Sequence, residues 1–249
     1  MEILLTNDDG IYAEGIRILA KTLAKNENLQ ITVVAPDRER SASGHSITLN
    51  RPLRIDKIEF PDIEAEFYKL DGTPADCVKI GAERLCSPDL IISGINHGPN
   101  LGFDVLYSGT VAAAVEGWMM GYSSLAVSLK IEELREFKAS ARFTEKFIEK
   151  IRPLLNQEKI LLNINIPDLP YHKLQDTIAT SLGKNLYEDR FEERTDPAGR
   201  KYYWLTGDFN INPTGHTDIA VLNQGKVSVT PLQLQLTDTR QFDKLKKLF

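Results

Sequence analysis

Asp8 and Asp9 stand side by side after the apolar run Ile3-Leu4-Leu5 and are followed at once by Gly10. A short apolar run without helical period, ended by polar residues and a glycine, predicts a buried strand whose carboxyl end meets solvent. Parallel sheets hold their ligands at that edge. Two adjacent carboxylates repel each other, so keeping both ionised at neutral pH favours a nearby cation. Oxygen ligands suit Mg²⁺, Mn²⁺ or Ca²⁺. The same triplet is also good turn chemistry, because Asp bonds its own backbone and Gly tolerates positive φ. On this segment alone both readings stand.

Three further segments carry groups that could act with the acids. Residues 36–50 include Ser41, Ser43 and His45, too polar for core and too rich in functional groups for a plain linker, and read as an active-site loop. Residues 94–102 form a glycine-rich loop with Asn96 and Asn100. Ser108-Gly109-Thr110 opens a helix that continues through Ala112, Ala113 and Ala114. Free backbone N–H groups and the positive end of the dipole make such a start an anion site, with phosphate the natural guest, although Ser and Thr are also ordinary caps. Asn100 either helps hold a phosphate or satisfies loop backbone. His45 either orients or protonates a leaving alcohol or is a solvated loop histidine, and His97 is equally ambiguous. Carboxylates with neutral oxygens from Ser41 and Asn96, beside a phosphate at the helix start, make a geometry for metal-assisted phosphoester hydrolysis.

The elements that must position these groups alternate between strand and helix. Residues 15–25 read as an amphipathic helix and 30–35 as a second strand, a βαβ opening. Residues 51–70 read as two antiparallel strands. Thr73-Pro74-Ala75-Asp76 then starts a helix running to about Leu85, with a Thr N-cap, Pro at the first helical position and an acid in the first turn. Strands follow at 90–93, 125–129 and 160–166. A helix over 132–152 carries Leu134, Phe137, Ala141, Ile148 and Ile151 on one stripe, and Pro153 is expected to stop it. The pattern predicts an α/β fold, a Rossmann-like, mostly parallel sheet with helices on both faces, over residues 1–185. Residues 186–249 change character. A hairpin over 186–205 carries Tyr187, Phe191, Tyr202, Tyr203 and Trp204 about an Asp196-Pro197-Ala198-Gly199 turn, with a strand at 227–231 and a terminal helix over 238–249. Aromatics on a projecting element call for a partner surface, so this portion is expected to mediate a homodimer.

Composition narrows the function classes. The 249 residues carry a formal charge of −5 and 42% hydrophobic content, enough for one large domain, and no basic stripe suited to a nucleic-acid polymer. No run is long enough to span a bilayer and no leader pattern opens the chain, so a cytoplasmic protein is expected. Cys77 and Cys86 would lie on roughly opposed faces of a helix at about 100° per residue, which argues against a disulfide and for two buried thiols.

Asn7-Asp8-Asp9-Gly10, Ala35-Pro36-Asp37-Arg38 with Arg40-Ser41, Gly72-Thr73-Pro74 with Asp76-Cys77, Ser93-Gly94-Ile95-Asn96 with Gly98 and Asn100, and Tyr107-Ser108-Gly109-Thr110-Val111 resemble, in order and spacing, the SurE family of metal-dependent survival-protein phosphatases. The resemblance covers essentially the whole chain, thinnest in the C-terminal third. It implies action on nucleoside 5′-monophosphates, with short polyphosphate also permitted. It also implies one divalent ion, Mg²⁺ or Mn²⁺, held by Asp8, Asp9, Ser41 and Asn96, with both acids catalytic. Substrate contacts then fall to Ser108, Gly109, Thr110, Asn100, Ser43 and His45, and dimers assemble further to tetramers. Glu14 stands where the family often has Pro. A covalent aspartyl phosphatase of the Asp-x-Asp type is disfavoured by Gly10 at the second acid's place, and a receiver-like module by Asn96 where its phosphorylated Asp would fall. A dinucleotide-binding dehydrogenase would need Gly-x-Gly-x-x-Gly after the first strand.

Overall fold

A computed structural model describes residues 1–174, 176–184, 187–209 and 215–249. Apolar runs build a first strand, β1 (Glu2–Thr6), and the amphipathic stretch after the acids builds α1 (Glu14–Leu23). There follow β2 (Gln30–Pro36), β3 (Ile55–Ile58), β4 (Glu66–Leu70), α2 (Pro74–Ile80), β5 (Leu90–His97), α3 (Gly109–Met119), β6 (Ser123–Lys130), α4 (Phe137–Leu155) and β7 (Leu161–Pro167). The last part of the chain gives β8 (Thr177–Ala179), β9 (Tyr187–Thr195), β10 (Lys201–Phe209), α5 (Asp218–Asn223), β11 (Val227–Pro231) and α6 (Thr239–Leu245). No helix is long and apolar enough to cross a membrane among the described residues.

Nine strands form one sheet in the order β3-β4-β2-β1-β5-β6-β7-β11-β8. The six from β4 to β7 are mutually parallel, while β3 and β11 run antiparallel to their inner neighbours. Alternate residues of β1 serve the two faces. Ile3 and Leu5 pack with Ile16, Leu19, Phe137 and Ala141 of α1 and α4, whereas Leu4 packs with Cys77, Val78 and Ala113 of α2 and α3. Strand order reverses between β2 and β5 about β1, the switch point at which open α/β sheets hold ligands.

Several local expectations are corrected. The strand beginning at Leu90 does not give way to a loop at Gly94; it continues through a bulge between Ser93 and Asn96 to His97. The helix after Thr73 keeps its capping box, with Asp76 N donating to Thr73 Oγ1 and Thr73 N to Asp76 Oδ2, but turns into a π turn over Gly81–Leu85. α4 starts at Phe137 because the Asp168 carboxylate takes the N–H groups of Glu132, Leu134, Arg135 and Glu136. Leu134 is therefore outside the helix and 57% exposed rather than on its apolar stripe. Pro153 lies inside α4, which runs only two residues past it, so little helix depends on the missing donor. Cys77 and Cys86 are free; Cys77 is buried, Cys86 only partly.

Within the C-terminal portion, β8, α5 and β11 belong to the main sheet and its cover, and β8 and α5 are additions to the elements expected from the sequence. The antiparallel pair β9 and β10 forms a separate two-stranded sheet with Phe191, Tyr203, Trp204 and Leu205 more than half exposed. The expected boundary at 185/186 and the start of the hairpin at Leu186 lie outside the described residues.

Candidate active site

The turn after β1 is made by Asn7, not by the acids. Asn7 Nδ2 donates to Gly10 O at 2.9 Å and Gly10 N donates to Asn7 Oδ1 at 3.2 Å. Gly10 has φ of +97°, and a Cβ there would stand 3.1 Å from the backbone of Arg38. With the turn's hydrogen bonds supplied by Asn7, both aspartate side chains are free for other work.

Asp8 is 4% exposed. Burial pushes its carboxyl pKa above the ordinary value, opposed by hydrogen bonding from Thr110, whose hydroxyl donates to Oδ1. Asp9 is pushed up to about 6, first by burial and then by the charge of Asp8, while His97 N–H donates to its Oδ2 at 3.2 Å. Glu39 adds a further negative field to both. Among the described residues no Lys or Arg side chain pairs with either acid.

The helix start and the loop after β2 close on Asp8. A Cβ on Gly109 would lie 2.8 Å from Asp8 Cβ, 2.9 Å from Asp8 Oδ2 and 3.1 Å from Ser43 Oγ, so only glycine leaves room where the three meet. Ser43 Oγ is buried with no hydrogen-bond partner. Ser108 caps α3, accepting from Val111 N at 3.1 Å. The loop is pinned by Arg40 N to Asp8 O at 2.7 Å and Gly44 N to Tyr107 O at 3.0 Å.

Other expected site residues stand differently. Asn96, the penultimate residue of β5, has Nδ2 donating to Gly98 O at 2.8 Å, which leaves Oδ1 as its acceptor oxygen. The Ser41 hydroxyl donates to Glu39 Oε1 at 2.7 Å, and Glu39 is the acid whose charge reaches both Asp8 and Asp9. Asn100 is a buried loop anchor: its amide donates to Ser128 Oγ, its backbone N to Asn165 Oδ1, and its carbonyl accepts from Asn163 and Asn165. His45 Nε2 lies 2.7 Å from Glu116 Oε2, and Lys79 Nζ donates to Glu116 Oε1 at 2.5 Å, which ties the loop to α2 and α3. Burial raises the Glu116 pKa, but hydrogen bonds from Lys79 and His45 outweigh it and hold the carboxyl below its usual value.

Sequence reasoning missed Asn7, Glu39, Glu116, Asp168 and Asp218. Buried Asp218 accepts from Gly102 N at 2.8 Å and Gly183 N at 2.7 Å, fixing the far end of the loop that leads to Ser108. Thr217-Asp218 before an apolar run was a legible cap signal.

The donor set fits a hard divalent cation. Two carboxylates held together away from solvent without a cationic side chain are in the state such an ion relieves. Among the described residues no group of three His, Cys, Asp or Glu side chains converges to hold a metal.

A family model described as survival protein SurE matches residues 3–189. The chain is 47% identical over 252 residues to a 5′-nucleotidase SurE of Pelotomaculum thermopropionicum, covering 100% of this chain and 95% of that protein. It is 45% identical to the protein of that name from Carboxydothermus hydrogenoformans, covering 99% and 95%. The crystal structure of the SurE protein from Aquifex aeolicus superposes with a TM-score of 0.84 at 38% identity, covering 100% of this chain and 99% of that one. The chain belongs to the SurE family.

Proposed function

We propose that this protein is a cytoplasmic, metal-dependent 5′-nucleotidase that hydrolyses nucleoside 5′-monophosphates to nucleoside and phosphate, with short polyphosphate as a further substrate. The observation that carries the reading is the meeting of buried Asp8, the unpartnered Ser43 hydroxyl and the side-chain-free Gly109 at the start of α3. Asp8, Asp9 and Asn96 would hold one Mg²⁺ or Mn²⁺ per subunit, with Ser41 joining them on rotation away from Glu39. When bound, that ion supplies neutralisation of phosphate charge and a more acidic water.

The chain's own groups do the rest. Thr110 fixes one Asp8 oxygen, leaving the other turned toward Gly109 and Ser43. Ser43 Oγ–H and the N-terminal amides of α3 donate to the phosphoryl oxygens as charge shifts onto them. His97 N–H holds Asp9 in register with Asp8. Attack by water is favoured over attack by Asp8 because that carboxylate is buried and tied to Thr110. Exposed aromatics on β9 and β10 support assembly as a homodimer, with tetramers by further association.

Phosphate release from a panel of nucleoside 5′-monophosphates, with Mg²⁺, Mn²⁺ or EDTA, tests the reading. Metal-dependent turnover is expected, falling by about a hundred- to a thousandfold in Asp8→Asn, since a preorganised electrostatic group commonly contributes 10²–10³. Asp8→Asn with near-normal turnover would refute it.

A further inference from the structure

On the α1 and α4 side of Asp9, opposite the α3 start, lies a cavity of about 240 Å³ lined by Asp9, Glu14, Glu39, His97, Arg135 and Phe137 among others. Its rim is built for presentation. Asp168 gathers four backbone N–H groups of residues 132–136, and within this turn Arg135 adopts φ of +55°, a conformation few non-glycine residues take. Such strain persists where the surroundings over-determine it, and it clusters at ligand sites. The exposed Arg135 guanidinium has no ion-pair partner among the described residues, although carboxylates line the same cavity. Across from it the His97 and Phe137 rings sit 6.4 Å apart at 43°. His97 is also the residue whose backbone N–H holds Asp9, so cavity wall and catalytic acid share one anchor.

We propose that this cavity receives the nucleoside part of the substrate and that Arg135 is a specificity-determining residue whose planar guanidinium stacks on the base. The inference rests on the nucleotidase reading above. Its chemistry selects an uncharged, flat guest. A guanidinium and an imidazole offer planar faces, and Glu14 and Glu39 accept from amino or hydroxyl groups. A second phosphate group would instead meet Asp9, Glu14 and Glu39 at once. The cavity is smaller than the roughly 300–1,000 Å³ of sites that engulf a drug-sized ligand, so it takes one end of a nucleotide and leaves its phosphate at Asp8.

The test compares Arg135→Ala and Arg135→Lys with the unaltered protein on a nucleoside 5′-monophosphate and on ribose 5-phosphate, which lacks the base. Melting temperatures serve as the folding control. Saturation-transfer NMR with free nucleoside supplies a readout independent of turnover. In Arg135→Ala the KM for the nucleotide should rise roughly 2- to 30-fold, the range for one stacked cation, with kcat and the ribose 5-phosphate constants unchanged. Base-proton saturation transfer should fall with it. Arg135→Lys keeps the charge without the plane and should stay impaired. Equal losses on both substrates, full rescue by lysine, or unchanged nucleotide KM would overturn the proposal. If the unaltered protein turned over no nucleotide at all, it is the nucleotidase reading that would fail.

Discussion

Gly109→Ala is the sharpest probe of the site, because it adds one methyl where three functional atoms already meet. The new Cβ would stand 2.8 Å from Asp8 Cβ, whereas carbon atoms in contact prefer about 3.5–4.0 Å. Asp8, Ser43 or the first turn of α3 must therefore give way by about 0.7–1.2 Å. Overpacking of that kind costs about 1–3 kcal/mol. Part of it is offset by the better helix propensity of Ala, worth at most about 1 kcal/mol. A net loss of about 0.5–2 kcal/mol corresponds to a fall in Tm of roughly 1–8 °C for a chain of this size. Activity should suffer far more, since a misplacement near 1 Å costs about a hundredfold. The assays are thermal melting, kcat/KM on a nucleoside monophosphate, and Mn²⁺ titration by calorimetry, in which affinity should weaken alongside rate. Turnover within threefold of normal, with unchanged Mn²⁺ affinity, would refute the placement of Gly109 against Asp8.

The loop over residues 37–50 is held in part by Glu116, which binds both His45 and Lys79. Glu116→Gln keeps shape but removes charge, a loss of about 1 kcal/mol in hydrogen-bond strength, so trypsin should cut at Arg38, Arg40 or Arg51 roughly fivefold faster under native conditions. An unchanged rate would show that the remaining pins suffice. Asp168 carries a pH signature. Burial raises its pKa, but the backbone N–H groups of Glu136, Arg135, Glu132 and Leu134 outweigh this and leave it below the usual carboxylate value. A depressed carboxyl stabilises the fold above its unfolded pKa of about 3.9, and that contribution is lost as pH falls through the lower folded value. Asp168→Asn should thus lose about 1.5–3 kcal/mol at pH 7, with the Tm gap to the unaltered protein steady above about pH 5 and closing below about pH 4. A gap that widened on acidification would contradict this.

What was legible in the sequence had short-range causes. β1 and its acidic turn, the Thr73 capping box, the Ser108 cap and the hairpin about Asp196 all follow from neighbouring residues, and the structure places each where local chemistry predicts. Misses came from distant partners. Helical periodicity assigned 132–136 to α4, but Asp168 takes the N–H groups that a helix would have left exposed at its start. Glycines at 94, 98 and 102 suggested a loop, yet Gly94 lies against Val127 O in a continuing strand, where an added Cβ would be 2.2 Å away. His45 and Asn100 carried functional groups suited to a phosphate site, and nothing in the sequence signalled the distant partners they have, Glu116 for the first and Ser128, Asn163 and Asn165 for the second. Residue type announces capability; the competing partner, many residues distant, decides its use.

The adjacency of Asp8 and Asp9 takes on a second meaning in three dimensions. Both acids lie inside the Asn7–Gly10 turn beyond the end of β1, and their carboxylates meet different neighbours. Asp8 turns to the α3 side, against Thr110, Gly109 and Ser43, while Asp9 turns to the β5 side, against His97 and the cavity next to Arg135. The neighbouring pair sits at the switch point, with the α3 start beside one carboxylate and the Arg135 cavity beside the other. Burial first and the charge of Asp8 second raise the pKa of Asp9, and that is the cost of its position.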